Sequence, residues 1–101
     1  MTVTQQQGVN TLRLTSDPTG TIPGGTTVQL VATPSTGNPF TGFYEIEAID
    51  STQSANNIWD VTFFPILGSP EWSGTGVGGT YTINAATPVV ETFDTSEITS
   101  I

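Results

Sequence analysis

Hydrophobic and polar residues alternate most regularly between Phe43 and Phe64. Tyr44, Ile46 and Ala48 fall on one side of an extended chain, with Glu45 and Glu47 on the other. After a polar stretch from Asp50 to Asn57, Trp59, Val61 and Phe63 resume the apolar side, and Asp60 and Thr62 the polar one. A period of two marks a strand with one buried face, so this segment predicts a β-hairpin. Matching the apolar faces restricts its register, because a slip by a single residue turns every side chain over. One pairing that does so sets Tyr44 beside Phe63, Ile46 beside Val61 and Ala48 beside Trp59. It also sets Glu47 opposite Asp60, a like-charge contact that costs from a few tenths to about 1 kcal/mol. A slide of two residues, Arg13 from a neighbouring strand, a bound cation or a basic partner would each relieve it.

Shorter stretches of the same kind flank the hairpin. Val9 to Thr15 is apolar near alternate positions and predicts a first strand. Asp17-Pro18-Thr19-Gly20 is a turn in which Asp leads, Pro presets φ and Gly closes. Pro23-Gly24-Gly25 is a second turn. Thr27 to Thr33 predicts a strand with Val28, Leu30 and Ala32 on one face; Val31 interrupts the pattern, which implies partial cover on the other face as well. Residues 34–39 read as a loop, and residues 65–79 as an irregular, glycine-rich stretch. Thr80 to Asn84 resumes alternation with Tyr81 and Ile83 inward, and Pro88 to Phe93 reads as a final strand. About six or seven strands with no helix signal predict an all-β fold, an immunoglobulin-like β-sandwich of antiparallel strands. The organisation is a polar N-terminal arm at residues 1–7, a β-sandwich domain at 8–93 and a polar C-terminal tail at 94–101.

Length and composition agree with a single β domain. The chain has 101 residues, 20 of them Thr, with 11 Gly and 7 Pro. Thr and the β-branched aliphatics suit a pleated surface, and Gly and Pro punctuate it. The net charge is -8, from nine acidic residues against a single Arg. Neutralising phosphates takes several Lys or Arg, so nucleic acid is excluded as a partner, and anionic membrane surfaces would repel the chain. No apolar run is long enough to span a bilayer, and the N-terminus lacks the basic and apolar regions of a signal peptide. Without Cys there is neither a disulfide framework nor a thiolate metal site.

Catalytic chemistry is poorly supplied. With neither His nor Lys, a Ser or Thr nucleophile lacks its usual bases. Glu45, Glu47 and Asp60 share a polar face and could serve as a carboxylate pair, or with Asp50 as a calcium site, but acids on the wet face of a sheet are ordinary. The chain is therefore read as a non-enzyme with no cofactor and no assigned metal. Gly74-Thr75-Gly76-Val77-Gly78-Gly79 has G-x-G-x-x-G spacing, yet a dinucleotide site needs a helix after it and here a strand follows. The loop reading is preferred. Trp72 lies outside any clear strand and either caps the core or anchors a partner, with Phe40 and Phe43 adding to such a patch. Val3 in the N-terminal arm, and Ile98 and Ile101 in the tail, are the candidates for strand addition to a neighbour.

A chain that begins at Met1 without a signal sequence, is rich in Thr and Gly, lacks Cys and carries β-compatible arms at both ends resembles the small β-sandwich proteins that decorate or cement bacteriophage capsids. The resemblance implies a virion structural protein on the outer capsid surface. It would be a trimer or dimer that bridges subunits of the major capsid protein. The alternative is a secreted adhesin or carbohydrate-binding module, with Trp72 and the Phe40–Phe43 segment meeting the ligand.

Overall fold

The computed structural model describes residues 1–22 and 24–86. They form six strands: β1 (Val3–Gln6), β2 (Thr11–Leu14), β3 (Thr27–Pro34), β4 (Phe40–Asp50), β5 (Trp59–Ile66) and β6 (Gly79–Ala85). Among the described residues the helical content is a single 3-10 turn at Ser54–Asn56. The strands share one sheet in the order β1-β2-β5-β4-β3-β6, with antiparallel neighbours throughout. The all-β antiparallel expectation therefore holds, with six strands in one nearly closed sheet. The expected final strand 88–93 and the tail lie outside the described residues.

Closure comes from the glycine-rich stretch. The Gln6 amide donates to Val77 O (2.9 Å), the Gly76 amide to Gln6 O (2.8 Å) and the Gly8 amide to Gly74 O (2.8 Å). Residues 74–78 thus lie as a strap along the outer edge of β1. Glycine is needed at Gly79, where φ is +126° and an added Cβ would collide with Thr33 O. The expected N-terminal arm is in fact an edge strand: Val3 pairs with Leu14, and Gln6 with Leu12. Polar Val3–Gln6 qualifies because it needs only one buried side, and Gln6 is the side chain it buries.

The core lies inside the curl of the sheet. Leu12 and Leu14 come from β2, Val28, Leu30 and Ala32 from β3, and Tyr44 and Ile46 from β4. Trp59, Val61 and Phe63 come from β5 and Tyr81 from β6; Ile22 and Trp72 plug in from loops. Burying each large apolar side chain contributes roughly 1.5–3 kcal/mol. Among the described residues no buried side-chain polar atom lacks a hydrogen-bond partner.

The β4–β5 hairpin forms, in a register different from the one the alternation favoured. Ile46 lies opposite Phe63 and Tyr44 opposite Pro65, a slide of two residues. A bulge at Glu47 then adds a further step, so that Ala48 faces Thr62 and Ile49 faces Val61. Ala48, expected inward, is consequently exposed, and Ile49 packs against the core in its place. A bulge moves one strand by a residue relative to the other, which strict alternation cannot anticipate. Glu47 is removed from Asp60, and Asp50 now faces it. Arg13 on β2 pairs with Asp60 from the other side, Nε to Oδ1 at 2.9 Å and Nη2 to Oδ2 at 3.0 Å. Of the four remedies expected for the clash, the slide moves Glu47 away but leaves another acid, Asp50, opposite Asp60, and Arg13 supplies the compensating charge. Val31 is exposed, so the anticipated cover over that side of β3 is absent among the described residues.

Candidate functional site

Two groups of aromatic side chains decide what the surface can offer. The inner group is built around Trp72, which the sequence left between core and interface. It is 7% exposed. Its ring stacks on Phe40 (5.6 Å between centroids), meets Tyr44 edge-on (5.5 Å) and lies 5.8 Å from Phe63. Its indole N–H donates to Thr11 O at 3.0 Å. Asn10 clasps the same loop: its amide donates to Trp72 O, its Oδ1 accepts from the Trp72 amide and its Nδ2 donates to Glu71. Trp72 therefore closes the core, and the folded chain does not present its ring to a partner. Phe40 is half-buried against it, and Val3 packs on the core from β1. Ile98 and Ile101 lie outside the described residues.

Tyr44 fastens the loop from below. It is fully buried, and its hydroxyl donates to Pro70 O at 2.5 Å. Burial, with Glu71 nearby, pushes the phenol up from 10.0 to about 12. An unfolded tyrosine ionises first as pH rises, so this stability is complete below pH 10 and is lost between 10 and about 12. The expected result is an alkaline fall in melting temperature over that window, which Tyr44→Phe flattens. Thermal scans at stepped pH check it; an unchanged alkaline limb in Tyr44→Phe counts against the assignment.

The second group faces outward. On β4, Gly42, Tyr44 and Ile46 point in, leaving Phe43 and Glu45 on the outer face. On β5, Phe64 and Ile66 share that outer face. Phe43 lies opposite Ile66, and Glu45 opposite Phe64. Directly opposite side chains in such a ladder sit about 5 Å apart. Three apolar residues and one acid thus make a compact square, with Phe64 54% exposed. Of the residues singled out from sequence, Phe43 and Glu45 belong to it; Phe64 and Ile66 were missed because the hairpin reading ended at Phe64.

Leu67 follows Ile66 in the chain and is also exposed. The Ser69 amide donates to Ile66 O (3.0 Å), closing a turn whose central residues, Leu67 (φ +56°) and Gly68 (φ +72°), are both left-handed. Asn or Gly normally fills the first of these positions, and a left-handed L-residue costs about 1–2 kcal/mol. Leu67 occupies it with its side chain 54% exposed. The turn is held beside Phe43 by Ser69, whose hydroxyl accepts from the Phe43 amide (2.7 Å) and donates to Ile66 O (2.5 Å).

The charged groups fall into place around this outer face. Arg13 is engaged by Asp60, and the chain has no second basic side chain to meet Glu45 or Glu47. Asp17 and Asp50 each accept from the amide and hydroxyl of the Thr two residues on, which holds both carboxyls below their ordinary value. No group of three His, Cys, Asp or Glu stands close enough to hold a metal ion among the described residues. The G-x-G-x-x-G segment spends its backbone on β1 and on Tyr81, whose hydroxyl donates to Val77 O and Gly78 O. No helix among the described residues is long and apolar enough to cross a membrane.

Comparison with protein families, curated proteins and solved structures finds no match to this chain.

Proposed function

We propose that the chain is a non-enzymatic virion structural protein that decorates and cements a capsid, working through the outer face of β4 and β5. The observation that carries this reading is an apolar strip on the outer face, with Phe64 and Leu67 exposed and Phe43 and Ile66 half-buried, and with Leu67 kept at a left-handed turn position at a conformational cost. Exposed, ordered apolar surface of this kind marks protein contact sites. The partner is the major capsid protein at the outer surface of the shell, and the decorating unit is a trimer or dimer. Its mechanism is linkage: a protein that binds only the assembled shell stabilises that shell by mass action. The reading as a secreted adhesin or carbohydrate module relied on Trp72 as a stacking platform, and its ring is covered by Phe40, Tyr44 and Phe63.

Cosedimentation tests the proposal. The purified chain is spun with assembled shells and, separately, with dissociated subunits of the capsid protein encoded beside it. It is expected to pellet with shells and to raise their disassembly temperature, and Phe64→Ser is expected to do neither. A chain that stays monomeric, ignores shells and instead melts higher with a glycan or calcium would sink the reading.

A further inference from the structure

The outer strip carries more information than its apolarity. Its square of side chains includes Glu45, directly opposite Phe64, and the next outward-lying acid along β4 is Glu47 at the bulge. Both are exposed. An apolar contact face normally excludes charge from its centre, because a carboxylate covered by a partner loses its water. The chain cannot compensate that loss itself, since its single basic side chain is held by Asp60 at two hydrogen-bond distances. In a second copy the single basic side chain is likewise held by Asp60, so a face-to-face copy would set Glu45 and Glu47 against the same acids. The complement has to come from elsewhere.

We propose that the β4–β5 outer face takes a protein segment in which apolar side chains alternate with Lys or Arg. The apolar side chains cover Phe43, Phe64, Ile66 and Leu67, and the cations meet Glu45 and Glu47. An extended segment suits the geometry, because its side chains project at the same period as those of the strands beneath it. This inference rests on the reading above only in taking the strip as the working surface. It names the chemistry of the partner, not the shell that would supply it.

The test uses three short synthetic peptides: one alternating Lys and Leu, one alternating Glu and Leu, and one alternating Lys and Ser. Each is titrated into the isotopically labelled full chain and followed by backbone amide shifts. The Lys-Leu peptide is expected to perturb residues 43–47 and 62–68 and to bind at least about ten-fold more tightly than either control. High salt is expected to weaken it several-fold. Phe64→Ser should cost roughly ten-fold, in line with losing a buried aromatic contact. The double variant Glu45→Gln, Glu47→Gln should bring the Lys-Leu and Glu-Leu peptides to within about two-fold of each other. All these substitutions are on the surface, so the fold is preserved, and Leu67→Asn provides a second apolar deletion that also eases the turn.

Equal binding of the Glu-Leu and Lys-Leu peptides to the unaltered chain overturns the proposal, as do shifts that map to Asp17 or Glu71 instead of the strip. A concentration-dependent dimer abolished by Phe64→Ser also overturns it, by giving the face to a second copy. Peptide discrimination without cosedimentation would leave this inference standing and remove the capsid reading; shell binding without peptide discrimination would do the reverse.

Discussion

Replacing Trp72 by alanine is expected to lower the unfolding free energy by about 3–5 kcal/mol, the usual range for deleting a buried large aromatic. Small domains hold about 5–15 kcal/mol in total, so this one residue accounts for a large share. Three rings lose their common neighbour, since Phe40, Tyr44 and Phe63 all pack on the indole. Thr11 O loses its bond from the indole N–H as well. Urea denaturation followed by circular dichroism measures the change. Trp72→Phe separates the two contributions, because it keeps an aromatic ring and strands only the carbonyl, a loss of about 1–3 kcal/mol. A cost below about 1 kcal/mol for Trp72→Ala would mean that the loop rests on the core without closing it.

Gly42→Val is the second large effect. Gly42 is buried on β4, and any Cβ there would stand 2.7 Å from Tyr44 Oη, 2.8 Å from Ser69 Cβ and 2.9 Å from Tyr44 Cε1. Neither neighbour can give way cheaply. The Tyr44 hydroxyl is fixed on Pro70 O, and Ser69 is fixed between Phe43 and Ile66. Overpacking of this kind costs about 1–3 kcal/mol and occasionally more, with Gly42→Ala the milder case. Pairing Gly42→Ala with Tyr44→Phe supplies the stringent check. The two sites touch, so their costs should not add. Removing the hydroxyl relieves the closest of the three contacts and frees the ring to shift, and the double variant is expected to be more stable than the sum of the singles indicates. Strict additivity would show that the crowding lies elsewhere.

The sequence was informative wherever one face of a strand repeats without interruption. Val28, Leu30 and Ala32 on β3, and Trp59, Val61 and Phe63 on β5, stood out by period and are all buried. It misled where a single extra residue breaks the period. Nothing in Ile46-Glu47-Ala48 announces a bulge, since its signature is a pairing and not a composition. β1 was hidden because Val3–Gln6 is mostly polar, and its edge is covered by residues far along the chain. The fate of Trp72 was equally non-local, decided by Asn10, Thr11 and Phe40. The candidate face was half legible. Phe43 was singled out as part of a patch with Trp72 and instead lies on the outer face of β4, whereas the outward turn of Phe64 and Ile66 depends on the register that the bulge and slide establish.

The strap has a consequence for how the molecule comes into being. It joins Gln6, near the beginning of the chain, to Val77, beyond β5. On a ribosome the first two strands emerge long before residues 74–78, and β1 waits with one edge unsatisfied until they arrive. Pairings so distant in sequence must overcome a large loss of chain freedom before they return anything, which makes such topologies slow to fold. An uncovered edge in that interval is a template for another chain. The four-residue length of β1 limits the hazard by leaving little edge to copy. Completion of the domain is therefore set by the moment its start meets its glycine-rich stretch, and every earlier species on the way is an open sheet.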